Sequence, residues 1–163
     1  MCTVGIESTI VSVAADGQWQ LLRPGMISEA EITKVAGAPQ RVNHASAVQK
    51  EIPATPKVPG QHALHYSPRT PLNLYKNRQD LLAACKALLN ADKSCAALLI
   101  GQGEVPACKV IGLPDQPEKV AEQLYSALHE LDAMKVDRLL VELPPDAPEW
   151  MAVLDRLTRA GHQ

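Results

Sequence analysis

Proline constrains this chain more than any other residue type. Six of its 13 prolines (Pro39, Pro53, Pro56, Pro59, Pro68 and Pro71) fall between residues 39 and 71. Each fixes φ, removes a backbone donor and restricts the residue before it, so neither a helix nor a central strand runs through such a stretch. Residues 39–71 therefore read as an extended linker between an N-terminal piece, 1–38, and a C-terminal piece, 72–163. Charge shifts across it, from six basic and five acidic residues in 1–71 to ten and thirteen in 72–163. The first piece is too short to hold a complete core, whereas the second has the length of a small domain.

The N-terminal piece has a β pattern. Four of residues 9–13 (Thr9, Ile10, Val11 and Val13) are β-branched, and Ala15-Asp16-Gly17 supplies a turn. Residues 18–22 then return as a second strand, which predicts a hairpin. Ser28 with Glu31 three residues later is a capping box for a helix ending near Ala36. A lone hairpin with unpaired edges is marginally stable, so this piece needs a cover. The C-terminal domain, a second copy of the chain, or a separate polypeptide would serve.

The C-terminal piece alternates strand and helix. Strands are predicted at 72–75, 95–101, 108–113 and 138–143, the second as a continuous apolar run of the kind buried on both faces. Helices are predicted at 78–91, from a cap at Asp115 and Glu118 to about Met134, and at 147–160 with Gly161 as the stop. Strands joined by helices of this length imply a parallel sheet. The expected class is α/β: a Rossmann-like parallel-sheet domain preceded by a β-hairpin and helix. The chain has no Phe and five Trp or Tyr residues, so the core must be built from Leu, Val, Ile and Ala.

A net charge of −2 argues against bulk electrostatic binding of nucleic acid. No apolar run nears the roughly 20 residues of a membrane helix, and no basic-then-apolar leader opens the chain, so a cytoplasmic location is expected. Cys2, Cys85, Cys95 and Cys108 lack CxxC spacing and read as buried free thiols rather than as a zinc site or a disulfide framework.

Four places hold residues suited to chemistry. Ser8 and Thr9, in Gly5-Ile-Glu-Ser-Thr-Ile-Val11, offer hydroxyls to a carboxylate or phosphate; by pattern alone they are ordinary strand residues. Arg23, before Pro24-Gly25, is a guanidinium held by a rigid turn, suited to phosphate, or simply a surface arginine. His62, His65 and Tyr66 cluster in the linker, with His44 further back. No carboxylate lies nearby in sequence, so a loop over a ligand fits better than a metal site. Gly101-Gln-Gly103 follows a buried strand, but a lone GxG reads as a turn. Asp132, Asp137 and Glu142 read as solvated charges.

Taken in order, these segments resemble the C-terminal part of the two-domain, YrdC-type threonylcarbamoyl-AMP synthases. GIESTIV (5–11) is similar to that family's GVESTIVD segment, LRPG (22–25) to LRPGAIT, and PGQHALHYSP (59–68) to PGMKYRHYAP. LYSALHELD (124–132) and DRLTRAG (155–161) resemble two further segments. The resemblance implies synthesis of threonylcarbamoyl-adenylate from L-threonine, bicarbonate and ATP, with magnesium accompanying ATP, for threonylcarbamoyladenosine modification of tRNA. It implies that Ser8 and Thr9 bind L-threonine, that Arg23 contacts the nucleotide phosphates, and that His65 and Tyr66 lie over the nucleotide. It assigns no metal ligand and no tightly bound cofactor.

This sequence departs from the family pattern in three ways. Nothing like the family's KxR nucleotide motif precedes Gly5. Gln61, His62, Ala63 and Leu64 replace its Met-Lys-Tyr-Arg, and Ala147-Pro148-Glu149 replaces a GLG turn. The expectation is therefore a truncated or split member, a remnant of the catalytic domain (1–38) joined to the accessory domain (72–163) and inactive alone. It would need the missing half or a second copy. The alternatives are a non-catalytic Rossmann-like module that binds a nucleotide or protein near residues 101–104 and 144–148, and an interaction domain that dimerises through its strands.

Overall fold

The computed structural model describes residue 6 and residues 8–40 and 68–161. Most of the expected linker, including His44, His62, His65 and Tyr66, lies outside the described residues, as does Cys2.

The expected hairpin is present. β1 (Ile10–Val13) pairs antiparallel with β2 (Trp19–Arg23) around the turn at Gly17, whose φ is +83°. Helix α1 (Glu29–Ala36) begins at the expected capping box. The Ser28 hydroxyl accepts from the Glu31 N–H, and the Glu31 carboxylate accepts from the Ser28 N–H at 2.8 Å. Trp19 is this unit's buried anchor, its indole N–H donating to the Gly37 carbonyl at 2.9 Å. Helix α1 buries no residue. Val13, Met26, Ile27 and Val35 stay exposed, Val35 at 91%.

The α/β expectation also holds. Strands β3 (Leu72–Tyr75), β4 (Cys95–Ile100), β5 (Lys109–Leu113) and β6 (Arg138–Glu142) form a four-stranded sheet, order β3-β6-β4-β5, with every pairing parallel. Helix α2 (Arg78–Asn90) packs on one face; α3 (Pro117–Ala133) and α4 (Met151–Gly161) pack on the other. The strand period of two sorts the side chains between two cores. Ala96, Leu98, Leu139 and Val141 face α3 and α4, while Ala97, Leu99 and Leu140 face α2. β4 is central and buried on both sides, which is why its sequence carries no alternation.

Four local expectations need correction. Gln116, not Asp115, is the N-cap of α3, and it makes no side-chain bond. Pro117 occupies the first turn, where its fixed φ suits a helix start and its missing N–H leaves nothing unpaired. Gly161 does not stop α4 but is its last residue, and a Cβ there would lie 2.8 Å from Leu74 Cδ1. β4 and β5 are joined by residues 101–108 without a helix; Val105 is tucked into the core beneath this loop.

The fourth correction concerns the supposedly solvated acids. Asp132 accepts from the Thr70 N–H at 2.9 Å and the Thr70 hydroxyl at 2.8 Å. Asp137 accepts from the Ser94 N–H and hydroxyl, each at 2.7 Å. Glu142 accepts from Arg78 and from the Ile100 N–H. Each acid serves donors that strand starts and ends leave without a ladder partner.

These bonds carry a pH prediction. Burial pushes the Asp132 carboxyl upward, but the bonds from Thr70 outweigh it and hold the group below its ordinary value of 3.8. The side-chain and backbone bonds from Ser94 hold Asp137 below the same value. A carboxyl depressed in the folded state binds protons more readily unfolded, so its stabilisation is full well above pH 3.8 and is lost as pH falls through the lower folded value. The urea midpoint is expected to fall steeply below about pH 4, and Asp132→Asn with Asp137→Asn to flatten that limb. A limb unchanged in the double variant would refute the assignment.

Candidate functional site

The site begins at the mouth of the hairpin. β1 and β2 bring together residues 15 positions apart, and the Arg23 guanidinium (Nη2) donates to the Ser8 hydroxyl at 2.6 Å. Thr9 turns the other way. Its hydroxyl donates to the Ile27 carbonyl at 2.8 Å and accepts from the Ile27 N–H at 3.1 Å, which ties the strand to the segment leading into α1. Gly25 lies flat against the Ser8–Thr9 peptide, where any Cβ would overlap backbone atoms. The Arg-Pro-Gly turn is thus locked to the strand carrying Ser8.

Three of the five residues to which the resemblance assigns a ligand, Ser8, Thr9 and Arg23, therefore share one corner, and Ser8 is exposed. Thr9 spends its hydroxyl on the backbone, so Ser8 and Arg23 are the pair facing outward chemistry. His65 and Tyr66 lie outside the described residues.

This corner is joined to the α/β unit by contacts that the sequence did not announce. Ile6 is buried in the core beside α3 and α4. The Arg156 guanidinium, from α4, donates to the Pro24 carbonyl at 3.2 Å. Arg156 is held beside Asp155, which also accepts two bonds from Arg159 at 2.9 Å each. A cavity of about 390 Å³ opens between the two units, with Ile27 and Glu31 on one wall and Glu118, Glu149 and Met151 on the other.

A second cavity, about 630 Å³, lies at the C-terminal ends of the parallel strands, where open α/β sheets commonly bind ligands. Its lining carries Asp115, Glu142 and Asp146 against Lys76. That sign repels phosphate. Glu142 is moreover engaged with Arg78, through Nε at 3.0 Å and Nη2 at 2.6 Å. Gly101-Gln-Gly103 serves this arrangement. Gly101 takes a φ of +78°, and Gly103 leaves room for the Arg78 side chain, which a Cβ there would overlap. The GxG is structural, as expected, with a definite reason.

Spacing concealed one further group. Cys85, Cys95 and Cys108 converge beneath α2. Burial, with the bond to Cys95 next, pushes the Cys85 thiol up to about 11, and burial also raises Cys108. Neither is a thiolate nucleophile at neutral pH. No helix among the described residues is long and apolar enough to cross a membrane.

Residues 27–161 match the family model described as threonylcarbamoyl-AMP synthase, C-terminal domain. The threonylcarbamoyl-AMP synthases of Pyrococcus abyssi (strain GE5 / Orsay) and Bacillus subtilis (strain 168) are 30% and 32% identical to this chain, each alignment covering 97% of it and 46% of the relative. The Schizosaccharomyces pombe synthase is 27% identical, over 98% of this chain and 43% of its own. The crystal structure of P. abyssi Sua5 complexed with L-threonine matches with a TM-score of 0.78 at 28% identity, covering 98% of this chain and 46% of that one. A P. abyssi Sua5 variant in which an adjacent histidine and tyrosine are both alanine matches with a TM-score of 0.76. The chain thus spans about half the length of the relatives it matches.

Proposed function

Because the chain belongs to the threonylcarbamoyl-AMP synthase family through its C-terminal domain, we propose that it supplies the C-terminal part of a cytoplasmic synthase. That enzyme joins L-threonine, bicarbonate and ATP into threonylcarbamoyl-adenylate and releases pyrophosphate, for tRNA modification. Ser8 and Thr9 border the L-threonine pocket, Thr9 by fixing the strand. Arg23 contacts the nucleotide phosphates of ATP, which arrives as its magnesium complex. His65 and Tyr66, the chain's one adjacent His–Tyr pair, close over the nucleotide.

The observation that carries this reading is the 2.6 Å bond between Arg23 and Ser8. A guanidinium held by a Pro-Gly turn, with a hydroxyl in reach, suits an α-carboxylate beside a phosphate chain. Adenylate chemistry also needs water excluded from labile intermediates, which a Pro-rich segment folding over the site would provide. The exposed apolar side chains at Val13, Met26, Ile27 and Val35 support a cover made by the remainder of a synthase domain.

Residues 1–40 hold two cations, Arg23 and Lys34, too few for the triphosphate. The 163-residue chain assayed alone is expected to show no threonine- and bicarbonate-dependent pyrophosphate release from ATP. Fused behind the preceding half of the B. subtilis relative, it is expected to turn over, and Arg23→Ala to lower kcat/KM roughly hundredfold. Turnover by the chain alone would overturn the claim of inactivity. A fully active Arg23→Ala fusion would overturn the site.

A further inference from the structure

Cys85 comes from the middle of α2, Cys95 opens β4, and Cys108 immediately precedes β5. The sulfurs of Cys85 and Cys95 lie 3.4 Å apart, those of Cys95 and Cys108 3.5 Å apart, and all three lie within 4.8 Å of one another. They sit at the N-terminal ends of the strands, away from the Arg78–Glu142 pair at the opposite ends. The wall around them is apolar, with Leu81, Ala97, Leu99, Val105 and Leu140. Cys85 and Cys95 are buried, while Cys108 is half-buried and reaches solvent.

We propose that Cys85, Cys95 and Cys108 form a three-thiolate site for a thiophilic divalent cation of the Zn(II) class. A zinc–sulfur bond of about 2.3 Å at tetrahedral angles puts ligand sulfurs roughly 3.8 Å apart, so the Cys85–Cys95 and Cys95–Cys108 edges need to open by only a few tenths of an ångström, and the third edge is at most 4.8 Å. Thiolates select soft or borderline ions over magnesium or calcium. Backbone carbonyls also approach the sulfurs and accept thiol protons: Pro106 3.8 Å from Cys85, and Cys95 and Lys109 3.3 and 3.5 Å from Cys108. Three thiolates with a divalent ion leave one net negative charge, with a monovalent ion two, and an apolar wall favours the smaller. Three protein ligands leave a fourth position for water or a small thiol, and Cys108 is half-buried rather than sealed. This makes the site exchangeable rather than closed. The proposal is independent of the catalytic reading, since no atom of the Ser8–Arg23 corner takes part.

Cadmium titration of the reduced 163-residue chain, freed of reductant, tests it through the thiolate-to-cadmium charge-transfer absorbance. Saturation is expected at one cadmium per chain with an intensity of three thiolate bonds, and zinc should displace it. Cys2→Ser should change nothing. Cys108→Ala, a half-buried position at which circular dichroism should report an unchanged fold, should weaken binding at least about tenfold, judged against a competing chelator. Absence of the band, equal affinity in Cys108→Ala, or a requirement for Cys2 would overturn the proposal. So would thiol titration showing that two of the three sulfurs have joined as a disulfide in the isolated chain.

Discussion

Leu98→Ala is expected to destabilise the chain by about 3 kcal/mol, within the roughly 2–5 kcal/mol seen when a large buried aliphatic side chain is cut back. Leu98 is fully buried near the middle of β4, with Ile111 of β5 and Val141 of β6 beside it in register. The sheet above and helix α3 below are both fixed by other contacts, so the space left by the lost methyl groups cannot collapse. The cost combines the lost transfer energy with an unfilled cavity. It corresponds to a fall in the thermal midpoint on the order of 10 °C for a chain of this size. Val35→Ala, at a side chain 91% exposed, should change stability by less than about 0.5 kcal/mol. Urea unfolding followed by circular dichroism measures both. A Leu98→Ala loss under about 1 kcal/mol would mean that β4 is not the rigid centre of the sheet.

The second large effect is expected at the C-terminal end of the neighbouring strand, β6. Glu142→Ala strips the Arg78 guanidinium of its carboxylate partner, leaving it the Ile100 carbonyl at 3.2 Å, and leaves the Ile100 N–H without its 3.1 Å acceptor. Breaking a fully buried ion pair costs more, but these side chains are 27% and 14% exposed, and water recovers part of the loss. The expected destabilisation is roughly 2 kcal/mol. Glu142→Gln keeps an acceptor for Ile100 and should cost less. Gly103→Ala should destabilise by displacing Arg78, and should do so less once Glu142 is already alanine, because both changes damage one contact. Strictly additive losses would show that Gly103 serves something other than the ion pair.

Much of the fold was legible along the chain because its signals are local. The Ser28–Glu31 capping box, the Gly17 turn, the unbroken apolar run of β4 and the apolar stripe of α3 each depend on residues a few positions apart. The limits of local reading show at α3, where Pro117 rather than Asp115 determines the start. They show again at Asp132, Asp137 and Glu142. An acid looks solvated until one knows that Thr70, Ser94 and Arg78, between 43 and 64 residues away, bring donors to it.

The candidate site divides in the same way. Ser8, Thr9 and Arg23 could be singled out from their motifs, yet their roles separated only in three dimensions. Thr9 turns to the backbone of Ile27, while Arg23 meets Ser8. The link from Arg156 to Pro24 spans 132 residues and has no sequence signature. The three cysteines, spaced 10 and 13 residues apart, match no metal motif, although their sulfurs meet.

By itself the sequence determined the hairpin and capped helix before residue 39, the alternation of strand and helix after residue 71, and the family to which the motifs are similar. These follow from backbone chemistry and side-chain periodicity, which act within a few residues. Only the tertiary structure decided the strand order β3-β6-β4-β5, the pairing of Arg78 with Glu142 and the meeting of the three thiols. Those depend on which distant segments can bury their apolar faces together, and that choice is made by the packing of the whole core rather than by any stretch of it.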